Sequence, residues 1–337
     1  MLNFKRIFFR TPRKTVTRAR WLTAMYIFVF VLMVNHCSAV LGLHLDLLEK
    51  HPDMGFNPEF IQANTSGKFL TCRDISRMQQ VAPIGKGTTK EVFGGTFRGR
   101  GVAIKMVTPS VKDVQLCFNK RAYRQKEECY EYANYKLMKE IAYSLQLSNE
   151  RILKLLGFCV RGDAVTGSVR DQGIVSVVEV GKKLSEYRLK QFTWAERLQV
   201  GSDIAELLVF LENSPLGSLE IGDLKLSQFI MVDGRIKLGD LDDMSSEERR
   251  CQKSRDCGIL GENAGIECLN STCMGINAKA NVLLATIEIL EPLFANPPDR
   301  IKGRIDLLLK KLMNYQLDAN ELHQSLVDLA DVFSTLS

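Results

Sequence analysis

Histidine is scarce in this sequence, and its four copies lie far from the other candidate functional residues. They are His36, His44, His51 and His323. A serine hydrolase, a cysteine protease and a histidine-ligated zinc enzyme all need a histidine beside the reacting group. Because residues 52–322 contain no histidine, these three classes of enzyme are disfavoured.

An excess of basic residues is also missing once the N terminus is set aside. The formal net charge is +6, but residues 1–20 carry seven Lys/Arg and no acid. The rest of the chain has 38 basic and 39 acidic side chains and is close to neutral. No nucleic-acid partner is predicted, because such binding depends on a concentration of Lys and Arg.

No apolar run reaches the roughly 20 residues that a membrane-spanning helix needs. The basic N terminus is followed by thirteen uncharged residues, 22–34. Cys37 and Ala39 occupy the −3 and −1 positions of a cleavage site after Ala39, so residues 1–39 are predicted to be a signal peptide. The alternative is an uncleaved type II signal anchor over about residues 21–43, which would attach the protein to a membrane. Residues 40–75 are turn-rich and predict a stem.

Cysteines support export. Removal of Cys37 with the leader leaves an even set, which predicts disulfides in an exported protein, although the pairing stays open. A zinc site within residues 251–273 is the alternative, but these spacings lack the close C-x2-C pairs of zinc modules. Asn64 and Asn270 begin N-glycosylation sequons. The eight remaining cysteines are Cys72, Cys117, Cys129, Cys159, Cys251, Cys257, Cys268 and Cys273.

The order of the predicted elements divides residues 76–337 into a β-rich half and a helical half. Alternating or apolar patterns predict strands over 81–97, 101–107, 152–158 and 173–179. Helices are predicted over 118–146, from a capping box at Thr193–Glu196 to about Asn213, and over 278–294 and 304–336. The fold class is therefore α+β, a two-lobed protein kinase-like fold with a β-rich N-lobe and a helical C-lobe.

Two short segments carry the acidic side chains expected of a kinase. Asp223-Leu-Lys-Leu-Ser-Gln228 is similar to the catalytic loop H-R-D-L-x-x-x-N, and Asp240-Leu-Asp242 is similar to the metal-binding motif D-F-G. Asp223 is predicted to accept the proton of the substrate hydroxyl, and Lys225 to steady the γ-phosphate. Asp240 is predicted to ligate Mg²⁺ or Mn²⁺, with Gln228 as the second ligand in place of the usual asparagine.

The nucleotide is expected to lie under a glycine-rich segment between the first two strands. Backbone N–H groups there can approach phosphates, although a plain hairpin turn explains such a segment at least as often. Lys105 ends an apolar strand and needs a phosphate or carboxylate partner, and Glu140 on the long helix has suitable spacing. Lys90, in place of the third glycine, would contact phosphate or face solvent. The predicted nucleotide-binding residues are Ile84, Gly85, Lys86, Gly87, Thr88, Lys90, Val92, Lys105 and Glu179.

Further segments resemble the vertebrate lonesome kinase family of secreted tyrosine kinases (protein kinase domain-containing, cytoplasmic). The resemblance covers about residues 80–330. It is carried by 214–218, 228–234, 238–243, the four-cysteine segment, 275–281, the Cys117/Cys129 pair and Cys159. It implies an ATP-dependent protein-tyrosine kinase that phosphorylates secreted and lumenal proteins in the Golgi lumen or outside the cell. Gly85, Gly87, Lys105, Asp223 and Asp240 would then hold their family roles.

Two alternatives come from other functional classes. The first is an inactive pseudokinase that acts as a lumenal interaction module; retention of the five charged residues argues against it (Lys105, Glu140, Asp223, Lys225 and Asp240). The second is a lumenal glycan kinase that resembles the anchored O-mannose kinase. An uncleaved anchor would favour that kinase, whereas the four-cysteine segment and residues 275–281 favour the tyrosine kinase.

The sequence departs from ordinary kinases at the catalytic loop. Ile221 and Gly222 stand in place of the His and Arg before Asp223, and no A-P-E motif follows. Without that arginine, the usual pairing of the catalytic loop with a phosphorylated activation loop is not available. We hypothesise that disulfides within residues 251–273 constrain the equivalent region instead.

Overall fold

The computed structural model describes residues 69–119, 126–160 and 174–335. The predicted leader, most of the predicted stem and the sequon at Asn64 lie outside these residues. Among the helices of the described segments, none is long and apolar enough to span a bilayer.

Five strands of the described residues form an antiparallel sheet in the order β1-β2-β3-β5-β4. They are β1 (Gln79–Lys86), β2 (Glu91–Phe97), β3 (Arg100–Met106), β4 (Leu155–Val160) and β5 (Ile174–Glu179). The sheet has apolar clusters on both faces: Ala103 of β3 belongs to one, and Ile104 to the other. This double burial explains why β3 is a continuous apolar run rather than an alternating one.

The chain packs onto this sheet earlier than the predicted domain boundary. A short helix, α1 (Cys72–Ile75), is tied to β4 by the Cys72–Cys159 disulfide. Just before it, Leu70 N–H donates to the Leu156 carbonyl at 2.8 Å. The described residues from 69 onward belong to one compact unit, so this unit includes residues assigned above to the stem.

Helices α2 (Lys112–Asn119) and α3 (Lys126–Gln146) follow β3. Of the helix predicted over 118–146, the described residues place 118–119 in α2, which begins earlier than predicted, and 126–146 in α3; residues 120–125 lie outside the described residues. The Cys117–Cys129 disulfide joins the two helices. Leu137 and Ile141 of α3 are buried in an apolar cluster that also contains Val178 of β5, which fixes α3 against the sheet.

The second half of the chain is mainly helical. Its helices are α4 (Glu186–Gln191), α5 (Trp194–Glu212), α6 (Ile276–Ala285), α7 (Glu291–Leu293), α8 (Asp299–Met313) and α9 (Ala319–Thr335), with a π turn at Thr286–Leu290 between α6 and α7. The capping box that begins α5 is confirmed. Thr193 N–H donates to Glu196 Oε2 at 2.7 Å, and Glu196 N–H donates to Thr193 Oγ1 at 3.3 Å.

Two predicted helices differ from the observed ones. The helix predicted over 304–336 is interrupted at residues 314–318, where Tyr315 has a left-handed backbone (φ 57°) that ends α8. The helix predicted from 278 begins at Ile276, directly after Gly275, whose φ of 79° favours glycine.

Short strands join the two halves and carry the candidate functional loops. Strand β6 (Lys182–Lys183) pairs with the hairpin of β8 (Phe229–Val232) and β9 (Arg235–Leu238). Strand β7 (Glu220–Ile221) pairs with β10 (Met244–Ser245). Buried Asp203 of α5 accepts hydrogen bonds from Arg235 Nη2 at 2.7 Å and Ile236 N–H at 2.8 Å, so β9 is anchored to the helical core.

The segment between β10 and α6 is cross-linked. Disulfides are confirmed for all eight cysteines after Cys37, and the zinc alternative does not apply because the cysteines are paired. Strands β11 (Cys268–Leu269) and β12 (Thr272–Cys273) form a hairpin held by Cys251–Cys268 and Cys257–Cys273. Asn270 lies exposed at its tip, which is compatible with the predicted glycosylation.

The predicted fold class is confirmed. A β-sheet half with the long helix α3 is followed by a helical half built around α5, and the short paired loops lie between them. This is an α+β, two-lobed protein kinase-like fold.

Candidate active site

Lys105 and Glu140 form the ion pair that their spacing predicted. Lys105 lies in β3 opposite Val92 of β2, and its Nζ is 2.5 Å from Glu140 Oε1 on α3. Both residues are buried. Lys105 Nζ also donates to the carbonyl of Gly239, so strand β3, helix α3 and the metal-binding loop meet at this ammonium group.

The Lys90 side chain does not face solvent but is buried within the site. Only 5% of the residue is exposed, and its ammonium group pairs with the other oxygen of Glu140. The same Nζ is 2.6 Å from Asp240 Oδ1 and 2.8 Å from Asp242 Oδ2. The glycine-rich hairpin is therefore folded onto the carboxylates of the metal-binding loop.

A second set of contacts holds the turn of this hairpin in place. Gly87 N–H donates to the Lys90 carbonyl at 2.8 Å, and Asp113 N–H at the start of α2 donates to the Thr88 carbonyl at 3.0 Å. Thr89 Oγ1 donates to the Asp113 carboxylate at 2.8 Å. The turn is thereby fixed to α2. Two other predicted nucleotide contacts, Ile84 and Lys86, are exposed.

The acidic cluster has strongly perturbed proton affinities. Burial would raise the pKa of Asp240, but the ammonium groups of Lys90 and Lys105 outweigh burial and hold that pKa well below its usual range. Burial raises the pKa of Asp242 to about 6; Lys90 opposes this rise and the Asp240 carboxylate adds to it. Burial alone would lower the pKa of Lys90, but Glu140 and the two aspartates raise it well above its usual range. Lys90 is therefore charged, as a buried cation among carboxylates should be.

The catalytic-loop side chains point to a more open region. Asp223 and Lys225 have 44% and 43% of their side chains exposed and form an ion pair with each other. Gln228 Nε2 donates to Asp223 Oδ2 at 3.1 Å. The Asp223 carboxylate is therefore accessible from solvent.

The backbone of the catalytic loop is held from two sides. Ile221 of β7 pairs with Met244 of β10, and Gly222 N–H donates to the Asp243 carbonyl at 3.1 Å. On the other side, Asn281 of α6 is buried, accepts from Ile221 N–H at 2.9 Å and donates to the Leu219 carbonyl at 2.7 Å. Asp223 thus follows a backbone that both the metal-binding loop and α6 position.

The carboxylates present fit a divalent cation. Carboxylate oxygens of Glu140, Asp240 and Asp242 lie within 4.8 Å of one another, and oxygen donors are what Mg²⁺ and Mn²⁺ prefer. Gln228 and Asp240 line the same small cavity, together with Ile221, Asp223, Asp242, Asp243 and Met244.

The structure brings most of the predicted site residues close together, but not all of them. Lys105, Glu140 and Asp240 are in one cluster with Lys90, and Asp223, Gln228 and Asp240 share a cavity. Glu179 differs, because its carboxylate accepts from Lys237 Nζ at 2.7 Å and from Lys154 N–H at 2.8 Å. Its assignment to the nucleotide therefore stays a prediction.

Sequence reasoning missed three residues of this site. Asp242 could have been found as the second acid of Asp-Leu-Asp, where the usual motif has glycine. Asn281 lies in the segment 275–281 that carries the family resemblance, but no sequence pattern indicates its contact with the catalytic loop. Asp113, which holds the hairpin, has no sequence signal beyond its place at the start of a helix.

Comparison with known proteins finds relatives that are named as kinases. No family model matches the chain. The human protein named extracellular tyrosine-protein kinase PKDCC is 31% identical over 220 residues, which are 64% of this chain and 43% of that protein. The resemblance to the vertebrate lonesome kinase family is confirmed.

Matches to another kind of kinase accompany it. The protein O-mannose kinase of Gallus gallus is 24% identical over 198 residues, 56% of this chain and 50% of that protein. The human protein O-mannose kinase is 23% identical over 193 residues, 54% and 47% of the two chains. The chain spans about half the length of the curated relatives it matches.

Proposed function

We propose that this chain is an ATP-dependent phosphotransferase of the secretory pathway that phosphorylates tyrosines of secreted and lumenal proteins. One observation carries the phosphotransferase part: the buried Lys105–Glu140 pair converges with Asp240, while Asp223 and Lys225 stand exposed beside that cluster. Burial of several charges in one place costs free energy, and a protein that only binds partners has no need of such a cluster.

Each residue has a defined task in this proposal. Lys105, oriented by Glu140, binds nucleotide phosphate oxygens, and Asp240 with its neighbouring oxygen donors holds Mg²⁺ or Mn²⁺. A bound divalent cation supplies charge neutralisation to the phosphates. Asp223 orients the acceptor hydroxyl and accepts its proton, and Lys225 steadies the γ-phosphate. The arrangement acts by alignment and electrostatics, which is what phosphoryl transfer needs.

The location and the acceptor rest on different support. Disulfides of the described residues are what an oxidising compartment allows, and they support the secretory pathway, including the Golgi lumen, and the extracellular space. Tyrosine is supported by the name of the human relative, extracellular tyrosine-protein kinase PKDCC, which is 31% identical. Partners in this proposal are ATP and secreted or lumenal proteins, without nucleic acid, and with a membrane only if residues 21–43 remain as an anchor.

A glycan acceptor is the second candidate, because two of the relatives above are named protein O-mannose kinase. The same site chemistry serves both acceptors, since a tyrosine hydroxyl and a sugar hydroxyl each need an aligned base beside the γ-phosphate.

Co-expression in the secretory pathway tests the proposal. The chain is expressed with a secreted protein and with an O-mannosylated glycopeptide, and phosphorylated products are identified by mass spectrometry. We expect phosphotyrosine that disappears with Lys105→Met and Asp223→Asn. Phosphate on mannose alone would favour the second candidate. Phosphotyrosine that persists in both variants would exclude catalysis by this chain.

A further inference from the structure

Lys90 lies where a divalent cation would have to bind. Its Nζ contacts Glu140 Oε2, Asp240 Oδ1 at 2.6 Å and Asp242 Oδ2 at 2.8 Å, and these are carboxylates of the group that could hold a metal ion. Magnesium binds oxygens at about 2.1 Å. A cation that bridged Asp240 and Asp242 would therefore occupy the space that the ammonium group fills.

The charges in this cluster also indicate that Lys90 and a divalent cation do not bind there together. Glu140 is already paired through its other oxygen with Lys105, and Lys90 is the ammonium group in direct contact with both aspartates. Buried carboxylates are costly without a counter-charge. An ammonium group and a divalent cation a few ångströms apart in this buried cluster would repel each other strongly, so one replaces the other.

The position of Lys90 in the chain makes this exchange feasible. Lys90 lies at the end of the turn between β1 and β2. Its ammonium group contacts the carboxylates of the cluster. Two contacts that lie outside the cluster hold this turn in place. They are the Thr89–Asp113 hydrogen bond and the bond from Asp113 N–H to the Thr88 carbonyl. Release of these contacts would lift the lysine out without disturbing β3 or α3.

We propose that Lys90 is a tethered counter-ion that closes the carboxylate cluster in the nucleotide-free protein, and that a divalent cation binds by displacing it. The displaced ammonium group is then free for the phosphates of the arriving nucleotide, a last step that rests on the proposed function. Metal and Lys90 thus compete for the same oxygens, and free metal binds weakly until the hairpin opens.

Binding of Mn²⁺ in the absence of nucleotide tests the competition directly. Free Mn²⁺ is followed by electron paramagnetic resonance while it is titrated with parent protein, Lys90→Met or Lys112→Met. Lys112 is the matched control, since it is an exposed lysine beside Asp113 and its loss changes the net charge equally. We expect Lys90→Met to bind Mn²⁺ at least about tenfold more tightly than parent, a size typical of coupling between competing groups. Lys112→Met should match parent.

Two further variants locate the effect. Adding Asp242→Asn to Lys90→Met should remove the gain, because the cation would lose the negative charge of one of its carboxylate ligands. Thr89→Val keeps Lys90 but loses the bond to Asp113, and it should raise Mn²⁺ affinity by several-fold as the turn loosens. This variant carries the test if Lys90→Met is isolated only in the presence of metal.

The proposal is overturned if Lys90→Met and Thr89→Val both bind Mn²⁺ as parent does, or if the gain survives Asp242→Asn. No nucleotide or acceptor enters the assay, so this outcome would leave the phosphotransferase proposal intact. Conversely, if the protein proved inactive but Lys90→Met showed the expected gain in Mn²⁺ affinity, the counter-ion proposal would stand and only the proposed function would fail.

Discussion

Gly222 stands where many protein kinases carry an arginine, and the backbone around it explains the replacement. A Cβ atom built on Gly222 would lie 2.8 Å from the Asp243 carbonyl oxygen, closer than real Cβ contacts come. The close approach lets Gly222 N–H donate to that same carbonyl. The arginine is absent because the metal-binding loop packs directly against the catalytic loop at this point.

We predict that Gly222→Ala destabilises the protein by about 1–3 kcal/mol, because the backbone of residue 243 must move. Activity should fall further than the loss of folded protein accounts for, since Asp223 follows immediately. Urea unfolding and initial rates measure the two effects. The control is Gly303→Ala in α8, where a Cβ would have no heavy atom within 4 Å among the described residues, and which should be neutral or stabilising by up to about 1 kcal/mol. Equal effects of the two substitutions would contradict the packing argument.

Asn281 is a positioning residue that acts through the catalytic-loop backbone. Its amide satisfies Ile221 N–H and the Leu219 carbonyl, and only 1% of the residue is exposed. We predict that Asn281→Ala costs about 2–4 kcal/mol, because both buried backbone groups lose a partner. The kcat should fall while the KM for ATP stays near the parent value, since the nucleotide contacts lie elsewhere.

Rescue separates positioning from general damage to the core. Asn281→Asp keeps an acceptor for Ile221 N–H, and because burial favours the neutral carboxyl, its O–H can donate to the Leu219 carbonyl, so it should restore part of the stability that Asn281→Ala loses. A parallel fall of kcat and a rise of KM in Asn281→Ala would indicate general disruption instead.

At the residue scale, the sequence allowed the Lys105–Glu140 pair to be predicted and left Lys90 open. Lys105 was predictable because a lysine at the end of a buried strand needs a charged partner, and strand register and helix spacing left Glu140 in reach. Lys90 was not, because its environment depends on how the hairpin folds onto Asp240, some 150 residues away in the chain. Local patterns carry no information about such a contact.

At the scale of elements, the cross-linked segment of residues 251–273 bears on how activity is controlled. Cys257 and Cys273 are buried and belong to an apolar cluster with Ile276 and Ala280 of α6, the helix that also carries Asn281. The disulfide therefore closes a segment that packs against the helix that positions the catalytic loop, without any need for phosphate.

We predict that Cys257→Ser with Cys273→Ser costs about 3 kcal/mol, the loop entropy for a closure of this length, and lowers phosphotransfer in protein that is still folded. Protein without phosphate in the segment should be fully active before mild reduction and lose activity after it. Cys117→Ser with Cys129→Ser, in the other half of the molecule, is the matched control and should keep most activity. Unchanged activity on loss of the 257–273 disulfide would remove the hypothesis.

Element types followed from local sequence patterns, whereas the boundary between α8 and α9 did not. The strands of the sheet and helix α5 were predictable because alternating or continuous apolar runs and a capping box are local signals. The break between α8 and α9 was missed because the amphipathic pattern continues across residues 314–318, and the left-handed Tyr315 is not a residue type that predicts a turn. Disulfide pairing was equally out of reach, since eight cysteines allow 105 pairings.

At the scale of the whole molecule, the two halves contribute different parts of one site. The sheet half supplies Lys105, Glu140 and Lys90, and the strands and loops of the helical half supply Asp223 and Asp240. The divergent sequence motifs could not establish by themselves that these residues lie close together. The fold and the family resemblance are confirmed, and phosphate transfer by this chain is the proposal that rests on them.

The most direct test is the initial rate of phosphate transfer from ATP to a tyrosine-containing peptide, measured for purified parent protein and Asp223→Asn with Mg²⁺ or Mn²⁺. Because 44% of the Asp223 side chain is exposed, the substitution should leave thermal unfolding nearly unchanged. We predict a rate lower by about 10² to 10⁴ in the variant, the contribution of a positioned general base. Equal rates in the two proteins, or no transfer above background by the folded parent protein, would contradict the account.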